Sequence, residues 1–162
     1  MKYVVVGGLS IDHVVSPAGE KRLDQFGGNA AYGCAGARIW APYEVGMVAR
    51  RGVGFPPEWL EAADNAGIDV AGVTAVPAPH GLIGGMIYDQ RGDRDNYVSR
   101  DDLSEANGRG EKGDMSPLLL HRAQVEFGAD ATDIPSKYND AVAVLLAPRY
   151  LNKQLCCIHH YR

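Results

Sequence analysis

Val4-Val5-Val6 is an unbroken β-branched run closed by Gly7-Gly8. A run without polar alternation predicts a strand covered on both faces, hence a central strand of a parallel sheet. A second short strand is predicted over Ile11 to Val15, and the polar residues 16 to 26 read as a loop or a short hairpin. From Asn29 to Trp40 small residues dominate (Ala30, Ala31, Gly33, Cys34, Ala35, Gly36, Ala37) and Pro42 follows. That pattern predicts a helix packed very closely on the sheet, because its glycines weaken the isolated helix by ~1 kcal/mol each and packing must compensate.

Val45 to Ala49 is the next strand. Pro56-Pro57 open a helix where a missing N–H costs nothing. Trp59, Leu60, Ala63 and Ala66 mark its inner stripe, and Gly67 its C-terminal end. Ile68 to Val76 and Leu82 to Tyr88 read as strands, the latter joined through Asp89-Gln90-Arg91-Gly92 to residues 93–98 as a hairpin. Residues 100–116 are charged and Gly-rich, a surface loop. Ala141 to Ala147 is a second fully apolar run, predicted like the first to lie in the sheet interior, and a short helical stretch near Pro135 to Asn139 introduces it. A last helix is expected from Asn152. The alternation predicts a doubly wound α/β fold with a mainly parallel sheet and a small β appendage.

Composition narrows the function classes. The 162 residues suit one domain, and 46% apolar with 22% charged residues is globular. A net charge of −4 gives no reason to expect nucleic acid as a partner. No apolar window reaches the ~20 residues of a membrane helix, and the N-terminus turns polar too soon for a signal peptide, so no membrane partner is expected. Three cysteines, an odd number with two adjacent, suit a reducing compartment, and a cytoplasmic location follows as the expectation. Twenty glycines, many in pairs, suit a chain that wraps a small polar ligand with bare backbone.

Two constellations carry candidate chemistry. Asp12 follows the first strand by a few residues, where an open α/β sheet binds ligands. Its carboxylate can accept hydrogen bonds from two neighbouring hydroxyls. Gly27-Gly28-Asn29 opens the small-residue helix, offering backbone N–H groups and an amide that both donates and accepts. Taken singly, Asp12 reads as a solvated turn residue and Gly27-Gly28-Asn29 as a turn with Asn as a helix cap.

In this order and spacing, however, they resemble the ribokinase-like (phosphofructokinase B type) kinases of sugars and nucleosides. Val45 to Ala49, Trp59 to Val73 and His80 to Asp89 resemble further pieces of that family, so the likeness spans most of residues 3–100. The resemblance implies a ribokinase-like sheet with a small β lid, and transfer of the ATP γ-phosphoryl to a substrate hydroxyl. It implies that Asp12 binds substrate hydroxyls and that Gly27, Gly28 and Asn29 line the sugar or nucleoside. ATP and Mg2+ are the expected cofactors.

Three departures stand out. Tyr32 occupies a place where many members have Asn, Arg50 to Gly54 stands where relatives often have an acidic turn, and the segment between Val15 and Gln25 is short, implying a reduced lid. The family's Gly-Ala-Gly-Asp catalytic run does not occur. Phe127-Gly128-Ala129-Asp130 is the nearest sequence and reads as a coincidence. The expectation is therefore a single partial domain over residues 1–162, the substrate-binding half, with no catalytic residue of its own and the ATP-binding half absent. The alternative is a non-catalytic polyol- or nucleoside-binding or pairing module. An uncovered sheet flank would favour edge-to-edge pairing, a homodimer being one outcome. Cys156 and His159 have helical ligand spacing but no second ligand pair, so no metal site is expected.

Overall fold

The structure is a computed structural model and describes residues 1–96, 117–148 and 150–162. Strands β1 (Tyr3–Val6), β4 (Val45–Val53), β5 (Ile68–Pro79) and β8 (Ala143–Leu146) form an all-parallel sheet in the order β5-β4-β1-β8. Strands β2 (Ser10–Val15), β3 (Lys21–Gly27), β6 (Ile83–Tyr88) and β7 (Arg94–Asn96) form a second, mixed sheet in the order β3-β2-β6-β7. Among the described residues four helices accompany them: α1 (Asn29–Trp40), α2 (Pro57–Asn65), α3 (Pro117–Phe127) and α4 (Leu151–His160). None of the described helices is long and apolar enough to cross a membrane.

β1 is central, as its unbroken apolar run requires. Val4, Val5 and Val6 are buried and packed on both faces: Val5 with Cys34 and Met47 on one side, Val4 and Val6 with Ile134 and Tyr138 on the other. α1 can approach the sheet because of its small side chains. A Cβ on Gly33 would meet Val5 Cγ1 at 2.9 Å. Tyr138 lies across Gly46, where an added Cβ would meet the ring at 2.7 Å, and its hydroxyl donates to Asp69.

The second apolar run departs from expectation. β8 pairs in parallel with β1, but it stands at the flank of the sheet and not in its interior. Leu145 and Val142 remain exposed, because among the described residues no strand or helix covers that side. An apolar run reports that cover is suited to it, not that cover is present.

Other elements were incompletely foreseen. The polar segment after β2 is a true hairpin, with β3 pairing β2 from Ser10↔Gly27 to Val15↔Lys21. A bulge interrupts the pairing between Asp12 and Val14; Asp24 there has φ 52°, and its N–H donates to buried His13 Nδ1 at 3.0 Å. The apolar stripe of α3 carried no prediction, yet Ala123 and Phe127 are buried. The stretch near residues 135–139 is one 3-10 turn, Ser136–Tyr138, preceded by another at Ala131–Asp133. The β6–β7 hairpin is present through Asn96, while residues 97–98 and the expected loop at 100–116 lie outside the described residues.

The two sheets are locked by an aromatic chain. Phe26 of β3 stacks on Trp59 of α2 at 5.6 Å, Trp59 meets Phe55 edge-on at 5.4 Å, and Phe55 meets His80 at 4.9 Å. His80 in turn meets Phe127 at 5.0 Å and accepts the Gly52 N–H at Nδ1. Both His13 and His80 are buried packing groups.

Candidate functional site

β1 is the point where the sheet order changes direction, with β4 on one side and β8 on the other. Open α/β sheets bind ligands in the crevice outside the strand ends at such a point. The chain leaves β1 through Gly7-Gly8-Leu9 and enters β2, whose side chains alternate. Ile11, His13 and Val15 turn inward, while Ser10, Asp12 and Val14 face a cleft of about 520 Å3. The other walls are the start of α1 (Gly28, Asn29, Tyr32) and the β6–β7 hairpin (Gly84, Met86, Tyr88, Arg94).

Asp12 is the buried acid of this cleft, with 7% of its surface exposed. Ser10 Oγ donates to Asp12 Oδ1 at 2.7 Å, which fixes the carboxylate rotamer. Across the parallel register Asp12 faces Gly84, where an added Cβ would stand 3.4 Å from Oδ1, so a glycine keeps the floor open. A carboxylate has about four lone-pair sites, so the Ser10 bond leaves capacity for further donors.

The sequence-derived residues take different places. Gly28 lines the cleft as backbone; its φ of 99° and ψ of 151° form a combination confined essentially to glycine, and a Cβ there would meet the Gly8 carbonyl at 2.2 Å. Asn29 borders the cleft too, but its amide is engaged: Oδ1 accepts the Gly8 N–H at 2.7 Å and Nδ2 donates to the Pro148 carbonyl at 2.9 Å. It ties the loops after β1 and β8 together. Gly27 stands behind Asp12 and not on the cleft wall, since a Cβ there would fall 1.9 Å from Oδ2. The structure thus brings Asp12, Gly28 and Asn29 to one cleft and puts Gly27 in support of the acid.

Ser10, Tyr32, Gly84 and Tyr88 were not singled out as site residues. The Gly84-Gly85 pair was the one compositional signal that pointed to β6. Tyr32 is near enough to matter electrostatically: partial burial, then the Asp12 carboxylate, raises its phenol pKa above the ordinary value.

A second polar cluster lies at the end of β4. Arg50 donates through Nε to Asp133 Oδ2 at 2.7 Å, and the Asp133 side chain is almost fully buried. Asp130 accepts the Ala131 N–H at the start of a 3-10 turn and takes Lys153 Nζ at 2.6 Å. The Lys153 hydrogen bond, acting against some burial, holds the Asp130 carboxyl below its usual range. Asp130 is thus a capping residue, which explains the lookalike run Phe127 to Asp130 without catalysis. Among the described residues no group of three or more His, Cys, Asp or Glu side chains is arranged to hold a metal ion. On α4, Cys156 is exposed and Cys157 buried. The acids nearest the Phe127 to Asp130 run, Asp130 and Asp133, are held by Lys153 and Arg50.

No protein-family model matches the chain. A cytidine kinase of Thermococcus kodakarensis is 39% identical over 95 residues, 59% of this chain and 33% of that one. An Escherichia coli protein assigned as a ribokinase II superposes with a TM-score of 0.65 at 13% identity in its apo form, covering 99% of this chain and 48% of that one. Its structure in complex with ATP and Mg2+ gives 0.55 at 15% identity, over 99% and 49%. A Burkholderia thailandensis nucleoside kinase in complex with inosine gives 0.61 at 12% identity, over 98% and 48%. The chain spans about half the length of these solved chains and a third of the cytidine kinase. The chain has a ribokinase-like fold along its length, and over 95 residues its sequence is similar to that of a cytidine kinase.

Proposed function

We propose that residues 1–162 form the substrate-holding portion of a small-molecule kinase, one that phosphorylates a hydroxyl of a sugar or nucleoside. The observation that carries this reading is the Asp12 carboxylate, buried at the floor of an open cleft, oriented by Ser10 and faced by glycine backbone. A carboxylate so placed takes two adjacent ring hydroxyls as donors, and Gly28 lets the ring touch the chain. Asn29 holds the Gly8 loop under that ring and so acts by positioning. The similarity to a cytidine kinase supports a nucleoside in particular.

Phosphoryl transfer needs a base near the attacking hydroxyl and charge stabilisation around the phosphates. ATP with Mg2+ supplies the phosphoryl group in this reading, and residues other than those described bind it. Isothermal titration of sugars and nucleosides into wild-type chain and Asp12→Ala tests the proposal. Saturable binding that weakens about 5- to 150-fold in the variant is expected, the range for a lost partner of buried polar groups. Equal binding by both proteins removes Asp12 from the site.

A further inference from the structure

The cleft carries more aromatic wall than two ring hydroxyls require. Tyr32 stands in the first turn of α1 and Tyr88 at the end of β6, and both line the cleft that Asp12 floors. Helical side chains lean toward the N-terminus of their helix, so the Tyr32 ring extends over the turn at Gly28 and toward Asp12. Two observations agree with that placement: Asp12 opposes ionisation of the Tyr32 phenol, and Tyr88 is close enough to add to the effect. Tyr32 is nonetheless 62% exposed, a large flat surface open to whatever enters. Its hydroxyl is within hydrogen-bonding reach of Asp12, a carboxylate that Ser10 also holds, so ring and hydroxyl must be separated by experiment. Leu82 and Met86 extend the apolar surface beside Tyr88.

We infer that Tyr32 is a specificity-determining residue whose ring, with Tyr88 across the cleft, forms the wall for a nucleobase, so that the cleft takes a nucleoside in preference to a free pentose. This inference rests on the substrate-holding reading of Asp12. The division of labour follows from chemistry: Asp12 recognises the ribose hydroxyls that both ligands share, and the aromatic wall recognises only the ligand that has a base. Stacking of a base on an aromatic side chain tolerates different bases because every base has a π-face.

The test is calorimetric titration of cytidine and of D-ribose into wild-type chain, Tyr32→Ala, Tyr32→Phe and Tyr88→Ala, with thermal melts to confirm folding. Tyr32 is exposed, so its variants should melt as the wild type does. Cytidine is expected to bind wild type more tightly than ribose. Tyr32→Ala should weaken cytidine by roughly 5- to 150-fold and leave ribose unchanged. Tyr32→Phe, which keeps the ring, should retain cytidine binding, and Tyr88→Ala should lower cytidine selectively.

Three results would overturn the inference while leaving the substrate-holding reading intact. One is ribose binding as tight as cytidine in the wild type. Another is equal loss of both ligands in Tyr32→Ala. The third is a Tyr32→Phe loss as large as that of Tyr32→Ala, which would mean the phenol acts through Asp12. Wild-type chain that binds neither ligand would refute the reading itself, and the inference with it.

Discussion

Adding a single methyl group at Gly27 should disable the cleft as thoroughly as removing the acid. An alanine Cβ at that position would lie 1.9 Å from Asp12 Oδ2, 2.2 Å from Cγ and 2.7 Å from Oδ1. The backbone itself can accept alanine, since Gly27 is absent from the positive-φ glycines. The conflict is therefore entirely with the Asp12 side chain. Restoring an ordinary contact of 3.4 Å from 1.9 Å requires the carboxylate to move by about 1.5 Å, and such a move breaks the 2.7 Å bond from Ser10. Overpacking of this kind costs ~1–3 kcal/mol of stability. Displacing the acid should weaken ligand binding by about 5- to 150-fold, as for loss of a buried polar partner.

The decisive control is the double variant. With Asp12→Ala the atoms that meet the new methyl are gone, so Gly27→Ala should cost much less stability in that background than alone. Urea denaturation of the four proteins gives the coupling directly, expected at ~1–3 kcal/mol. Calorimetric titration of the single variants gives the binding loss. Additive stabilities, or wild-type ligand affinity in Gly27→Ala, would refute the contact on which the reasoning stands.

Other expectations follow from the cluster near β4 and from the thiols. Arg50→Ala should destabilise the fold by ~3 kcal/mol in urea melts, because it leaves the buried Asp133 carboxylate without its counter-charge, although the Asp130 N–H still donates to it. Lys153 depresses the Asp130 pKa, so that pair's stability is complete above the unfolded value near ~4 and is lost as pH falls through the lower folded value. Lys153→Met should flatten this acid limb, measured as ΔG against pH between about 2 and 5. Burial pushes the Cys34 thiol up to about 12 and Cys157 up to about 11, while Cys156 is exposed. Ellman's reagent on native protein at mildly alkaline pH should therefore titrate one thiol quickly and all three only after denaturation. Finally, the 162-residue polypeptide with ATP, Mg2+ and a panel of sugars and nucleosides should release no ADP, since the Asp130 carboxylate is committed to Lys153 and a turn. Turnover that disappears in Asp12→Ala would contradict this.

Local pattern made the central part of the fold legible. Val4 to Val6 announced β1, the small residues from Asn29 announced a helix lying against it, and Pro56-Pro57 with Gly67 bracketed α2. Asp12, Gly28 and Asn29 could be placed near one another because Asp12 follows β1 by a few residues and Gly28 and Asn29 stand at the start of α1. What depended on distant partners was not legible. Arg50 and Asp133 are 83 positions apart and carry no pattern linking them. The parallel pairing of β2 with β6, which sets Gly84 opposite Asp12, joins segments with two helices and two main-sheet strands between them. Hydropathy also could not separate a flank strand from an interior one, as β8 shows. Asn29 illustrates a further limit: its amide suits hydroxyl recognition by chemistry, yet tertiary structure engages it with Gly8 and Pro148.

The most direct test of the central claim is to map where a nucleoside sits. In amide NMR spectra of the chain titrated with cytidine, the largest shift changes should fall on Gly28, Tyr32, Gly84 and Gly85, around the Asp12 cleft, and should vanish in Asp12→Ala. Changes centred instead on the surface groove at Arg38, Tyr43 and Ala66, or unaffected by the loss of Asp12, would contradict the account.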